Sequence, residues 1–209
     1  MRRIARYLMV FLLCLALPLT QAAFASGVIN LNDAERYSMN LFLSNFTEIG
    51  SDIAFYSDDA SLVDFAHDHL WFNDYESFEY GEYPNGNNSR VSDDQIQSII
   101  DRYFDAAPQV DLSQSRFDYD GEYYYHVETG GGANGGFALT LNVYSADDDR
   151  YYVSFLTFGT DDNWDNDSLN LNFADAEMQF GVPAHGGHAW ITASDLSDRS
   201  TYRMISFSY

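Results

Sequence analysis

The spacing of apolar positions changes period half-way along the chain. Between residues 31 and 104 it is helical. In "LNDAERYSMNLFLSNF", Met39, Phe42, Leu43 and Phe46 recur at i, i+3, i+4 and i+7, which is one helix face. Ala34, Tyr37 and Leu41 widen that face, and Asn32 with Glu35 three residues later forms a capping-box signature. In "SLVDFAHDHLWF", Leu62, Phe65, Ala66, His69 and Leu70 share a face, and Asp58 and Asp59 precede it where negative charge suits a helix start. A third helix begins at Ser92, answered by Gln95, with Val91 and Ile96 as the staple. Its stripe is Ile96, Ile99, Ile100, Tyr103 and Phe104, and Pro108 follows the stop. Between helices two and three, "ESFEYGEY" reads as one short strand and "YGEYPNGNNSR" as a turn.

Beyond residue 115 the period is two. "RFDYDGEYYYHVE" reads as strand, turn, strand, with Asp120-Gly121 as a type I′ signal. "GGGANGG" reads as a flexible link. "FALTLNVYS" alternates, with Phe137, Leu139, Leu141 and Val143 expected on one face, and "RYYVSFLTFG" runs back after "ADDD". "LNLNF" reads as a short strand, and "HAWITA" with "TYRMISFSY" as a closing hairpin. Helices first and a strand meander after them predict an α+β domain. Three N-terminal helices pack on a C-terminal antiparallel sheet, and a curved sheet of the cystatin-like or NTF2-like kind fits this order. No fixed-period repeat and no linker divides residues 26–209, which are expected to form a single domain.

Residues 1–25 carry a different pattern. Arg2, Arg3 and Arg6 precede an apolar run, and Ala23-Phe24-Ala25 is an A-x-A-type cleavage site. This predicts a signal peptide ending at Ala25 and a secreted, extracytoplasmic protein. The run is shorter than the ~20 residues a membrane span needs, so no transmembrane span is expected after cleavage. The single cysteine, Cys14, lies inside that segment, which removes disulfides and thiolate chemistry from the expected mature chain.

Charge narrows the partners. The chain has 10 basic and 32 acidic residues, a formal net charge of −22, and no lysine at all. A nucleic-acid partner requires a basic footprint, so none is expected. Cations and basic partners are favoured, against the plainer reading that the charge serves solubility.

Five segments taken together, "NLFLSNFTE", "LVDFAHDH", "IIDRYFD", "DGEYYYHVETG" and "YRMISFSY", resemble a group of uncharacterised exported proteins and lipoproteins from gut-dwelling Firmicutes. The resemblance implies location and fold. It carries no functional residue with it. The absence of lysine and the abundance of aspartate depart from the group.

Candidate chemistry falls in four places. His185 and His188 in "AHGGHAW" could share a Zn²⁺ with a carboxylate, or flank a glycine turn. Asp161, Asn163 and Asp165 alternate as in the first half of a calcium loop. Asn172 stands where the bidentate glutamate belongs, which leaves an acidic loop as the alternative. His69 is expected in the core and His67 exposed; at a spacing of two they cannot chelate one ion. Tyr123, Tyr125 and His126 are candidate ligand-binding residues on a tyrosine-rich strand, with Tyr124 facing the other way, at least one side in the core, and cross-strand packing as the alternative. No G-x-S-x-G, H-E-x-x-H, P-loop or dinucleotide fingerprint is present. The reading is a binding protein of the cell surface or envelope, taking a protein, peptide, glycan or cation. The alternatives are a small extracellular hydrolase with a His/carboxylate centre, or a Ca²⁺-dependent binding module.

Overall fold

The computed structural model describes residues 27–49, 58–105, 110–127, 135–146, 149–159 and 164–208. The expected signal peptide lies outside the described residues, as do Asp161 and Asn163. The class is α+β, as the order of periods predicts. The strands divide into two antiparallel sheets, and a fourth helix joins the three expected.

The larger sheet has the order β1-β6-β7-β8-β9, from Gly27–Ile29, Phe137–Ser145, Arg150–Phe158, His185–Thr192 and Arg203–Ser208. The smaller has the order β2-β3-β5-β4, from Glu79–Tyr80, Ser89–Ser92, Tyr123–His126 and Asp118–Tyr119. Helices α1 (Asp33–Thr47), α2 (Asp59–Asn73) and α3 (Asp93–Tyr103) share one core with both sheets. The capping boxes of α1 and α3 form as the sequence predicts, Asn32 with Glu35 and Ser92 with Gln95. Asp58 caps α2 by accepting from the Ser61 N–H. Rings run through the core from sheet to helices. Phe155 stacks on Phe207 at 5.2 Å, Phe207 on Phe46 at 5.3 Å, and Phe46 on Phe65 at 4.5 Å.

One irregularity reorganises the large sheet. The β6–β7 register shifts between Thr140 and Asn142, a bulge at Leu141. The extra residue reverses the alternation, so Val143 faces the helices while Phe137 and Leu139 face the opposite side. The four-residue apolar stripe expected on "FALTLNVYS" is therefore split between the two faces. The outward half needs its own cover. Phe137, Leu139 and Phe158 form a second core with Leu169 and with Ala176 of α4 (Phe173–Phe180). The sequence reading placed a strand at "LNLNF". The segment is instead a 3-10 turn at Asn166–Asn170 followed by α4, because the Asn172 side chain accepts from the Asp175 N–H and starts a helix.

Helix α1 closes an open sheet edge. Strand β1 pairs only with residues 143–145 of β6, which leaves the earlier part of β6 without a strand on that edge among the described residues. Side chains of α1 take its place. Ser44 Oγ accepts from the Ala138 N–H at 2.9 Å, and Asn40 Oδ1 from the Thr140 N–H at 2.8 Å. Thr47 Oγ1 donates to the Gly136 carbonyl at 2.6 Å, and Arg36 reaches the Thr140 carbonyl. Asn40, Ser44 and Thr47 are spaced so that one helix face covers one strand edge.

Candidate functional site

The small sheet presents the most developed surface. Its register sets one residue from each strand in a row: Glu79 opposite Arg90, Arg90 opposite Tyr125, Tyr125 opposite Asp118. Alternation puts these four on one face. The neighbouring row, Val91, Tyr124 and Tyr119, faces the core. Tyr124 is fully buried, stacks on Tyr119 at 4.5 Å and donates its hydroxyl to the Leu112 carbonyl. Tyr124 thus faces away from Tyr123 and Tyr125, as the alternation requires.

On the outer face Arg90 lies over two rings. Its Cζ is 3.8 Å from the Tyr123 ring centre and 5.1 Å from that of Tyr83. Its guanidinium donates twice to Glu79 Oε2, at 2.8 and 2.5 Å. Tyr83 and Tyr125 meet at 5.5 Å between ring centres. The hydroxyls are committed as donors: Tyr125 to Asp120 Oδ2 at 2.6 Å, and Tyr83 to the Glu79 carbonyl at 3.4 Å. Arg90 also hydrogen-bonds the Tyr125 hydroxyl, so rings and hydroxyls together form an electron-rich seat for its guanidinium. Hydrogen bonds from Asn85 and Asn87 hold the Asp118 carboxyl below its usual range. The Tyr125 hydroxyl, with the Tyr123 and Glu122 N–H groups, does the same for Asp120. The hydrogen bond to Asp120 in turn raises the Tyr125 phenol, which stays protonated.

The turn behind this face differs from expectation. A type I′ turn needs positive φ at both loop residues. Here only Gly121 has it (φ 103°), with Asp120 and Tyr123 already joined by a backbone hydrogen bond.

Of the three ligand-binding candidates, Tyr123 and Tyr125 belong to the face and His126 does not. The His126 ring lies on the other side of β5, 4.5 Å from Trp71 and 5.2 Å from His67 between ring centres. His67, expected at the surface, is fully buried. It stacks on Phe117 at 3.5 Å, and neither ring nitrogen has a hydrogen-bond partner. Alternation ties Phe78, Phe117 and His126 to this side of α2, and they close over a residue that helical spacing alone places outside the stripe. His69 is in the core as expected, stacked on Phe65 and beside Tyr103.

The paired-histidine site does not assemble. "HGGH" is the start of strand β8 and not a turn, paired from Thr157↔His185 to Ser154↔His188. Residues i and i+3 of a strand leave on opposite faces, so His185 and His188 cannot hold one Zn²⁺ between them. His188 lies near Tyr152 on the outer face and contacts Ser208 Oγ at 3.0 Å. Asp165 caps the 3-10 turn, its Oδ1 accepting from Asp167 N–H, Ser168 N–H and Ser168 Oγ. Among the described residues no three His, Cys, Asp or Glu side chains converge to hold a metal ion. Likewise, no described helix is long and apolar enough to cross a membrane.

Arg90, Glu79, Tyr83 and Asp118 were not singled out in the sequence. The available signal was the alternation of "SRVS", which puts Arg90 opposite in direction to Val91; the partners come from strand pairing and have no local signature. Comparison with protein-family models, with curated proteins and with solved structures returned no match.

Proposed function

We propose that the chain is an exported binding protein of the cell surface or envelope. The outer face of its small sheet takes basic segments, arginine- or lysine-bearing, of a peptide or protein partner. The observation that carries this is the seat of Arg90. The face already holds one guanidinium between Tyr83 and Tyr123 and neutralises it on Glu79. Around that pair stand Tyr125, Asp118 and Asp120, with no second basic residue in the row. A cation over a tyrosine face gains about 0.5–1 kcal/mol at an exposed site, more when desolvated. Carboxylates nearby add charge-assisted hydrogen bonds. A net charge of −22 steers basic partners toward the whole molecule. The proposed location rests on the signal-peptide pattern expected of residues 1–25.

The hydrolase alternative receives no support at the histidines. His67 and His126 are packed by Phe78, Phe117 and Trp71. Both nearby acids are engaged, Asp68 with Arg116 and Asp64 with Ser115 and the Arg116 N–H.

Calorimetry with arginine- and lysine-rich, neutral and acidic peptides, and with neutral oligosaccharides, tests the reading. Basic peptides are expected to bind, and to weaken as salt rises. Tyr125→Ala and Tyr123→Ala should each lower affinity about tenfold, ~1.4 kcal/mol, while the protein stays folded. Salt-independent binding of a neutral oligosaccharide to the same tyrosines would replace the basic ligand with a glycan. Equal binding of acidic peptides would overturn the reading.

A further inference from the structure

We propose that His67 and His126 form an acid-opened latch that holds the small sheet on helix α2. Protonation of the pair releases β3 and β5, and with them the tyrosine face. The latch is a property of the packing beneath that face and does not rest on what the face binds.

The geometry is unusual in one respect. His67 is 0 % exposed, and both its ring nitrogens lack a partner. Buried polar atoms are nearly always paired, so an orphaned imidazole asks for an explanation. The ring fits its site as an aromatic disc, between Phe117 at 3.5 Å and Phe78 at 5.3 Å. His126 joins from β5 at 5.2 Å. A neutral pair packs there as two more rings. A charged pair places two like charges a few ångströms apart, one on the fully buried His67 and one on the half-buried His126.

The ionised neighbours offset only part of the cost: Asp68 and Asp64 favour a charge on His67, and burial outweighs them. From α2 come Asp64 and Asp68. Asp68 Oδ1 is 3.6 Å from His67 Nδ1, beyond hydrogen-bond reach, and its Oδ2 is bound by Arg116 at 2.5 Å. Asp64 Oδ1 accepts from Ser115 Oγ at 2.9 Å and the Arg116 N–H at 3.1 Å. From the segment ahead of β4 comes Arg116, which adds a positive charge. From β3 the inward residues are Ser89 and Val91, neither charged, and Arg90 is on the outer face. Burial therefore dominates. It lowers His67, and it lowers His126 from 6.5 to about 4, with the His67 charge as the next cause.

Both groups are neutral in the closed state at neutral pH and bind protons more readily once released. The closed state is thus fully favoured above 6.5 and loses ground as pH falls toward the lowered values. Opening is expected to be local, because the ring contacts from Phe155 to Phe65 that tie α1 and α2 to the large sheet do not pass through His67 or His126.

Hydrogen exchange of the purified protein from pH 7 to pH 4.5, corrected for intrinsic rates, reads the latch directly. Amides of Ser89–Ser92 and Tyr123–His126 should lose protection more steeply than tenfold per pH unit, because two protons enter on opening. Amides of β6, β7 and β8 should keep theirs over the same range. His67→Phe should reduce the slope to about tenfold or less. His126→Phe should do the same, which keeps the test open if one variant fails to fold. Three results would overturn the proposal: unchanged protection of β3 and β5, loss of protection in both sheets in one step, or an unaltered slope in both variants.

Discussion

At the scale of single residues, the polar groups inside the protein carry as much of the argument as the rings. Asn40 is 1 % exposed and uses both ends of its amide, accepting from the Thr140 N–H and donating to the Leu169 carbonyl at 2.9 Å. It links the helix, the strand edge and the 3-10 turn ahead of α4. Asn40→Leu keeps the branched shape at a somewhat larger volume and leaves a buried donor and a buried acceptor unpaired. Each such group costs about 1–3 kcal/mol, so a loss of about 2–4 kcal/mol is expected in urea unfolding. A loss below about 1 kcal/mol would mean that water reaches this edge. Ser44→Ala should cost less, since it orphans one N–H. These roles were not legible in the sequence. Asn40 and Ser44 sit beside the apolar stripe of α1 and look like its solvent side. Their meaning depends on a strand about a hundred residues later that has lost its neighbour. His67 was misplaced for the same reason, whereas His69 was read correctly from its own helix.

At the scale of elements, what was legible was local. Caps formed where Asn32 and Ser92 announced them, and strands β6, β7 and β9, with the later part of β8, fell where alternation put them. The misreadings arose where a glycine or a bulge answers to a distant neighbour. "HGGH" resembles a turn because glycine punctuates turns. In the structure Gly187 is inside a strand because the Phe155 ring of the adjacent strand lies over it. A methyl at Gly187 would meet Phe155 Cζ at 2.5 Å and the Ser208 carbonyl at 2.6 Å. The glycine yields its space to an aromatic ring of the main core. Gly187→Ala should therefore cost about 1–3 kcal/mol. Gly27→Ala, whose methyl meets nothing within 4 Å, should be close to neutral. Parallel thermal melts check the pair, and equal midpoints would show that the Phe155 ring moves aside freely. The same reasoning applies to Gly136, read from the sequence as part of a flexible link. Its methyl would lie 2.0 Å from the Gly159 carbonyl, so the end of that link is a close backbone crossing.

At the scale of the whole molecule, pH and salt act on different charges, and the difference makes the pH profile informative. The carboxylates repel one another at neutral pH, so added salt should raise the melting temperature by screening. Acid also relieves that repulsion, but only once carboxylates protonate, near and below their ordinary range of about 4. The histidines act earlier. Burial, with Arg102 as the next cause, lowers His69 to about 4, and burial lowers His67, His126 and His188 as well. In each case the unfolded chain binds the proton first, so the stabilisation is complete above about 6.5 and falls as pH drops toward the folded value. Between those limits the buried imidazoles act against Glu48, whose carboxyl is raised by burial and which they outnumber. For His69, which is 7 % exposed, a fall from pH 6.5 to 5 corresponds to about 1.5 kcal/mol. In a chain of this size that is roughly 3–6 °C. The melting temperature is therefore expected to decline from pH 6.5 to 5 at every salt concentration, although the molecule is losing negative charge over that interval. His69→Gln should flatten the decline by about its share. A melting temperature that instead rises steadily from pH 7 to 5, and rises less at high salt, would show that charge repulsion outweighs the buried imidazoles.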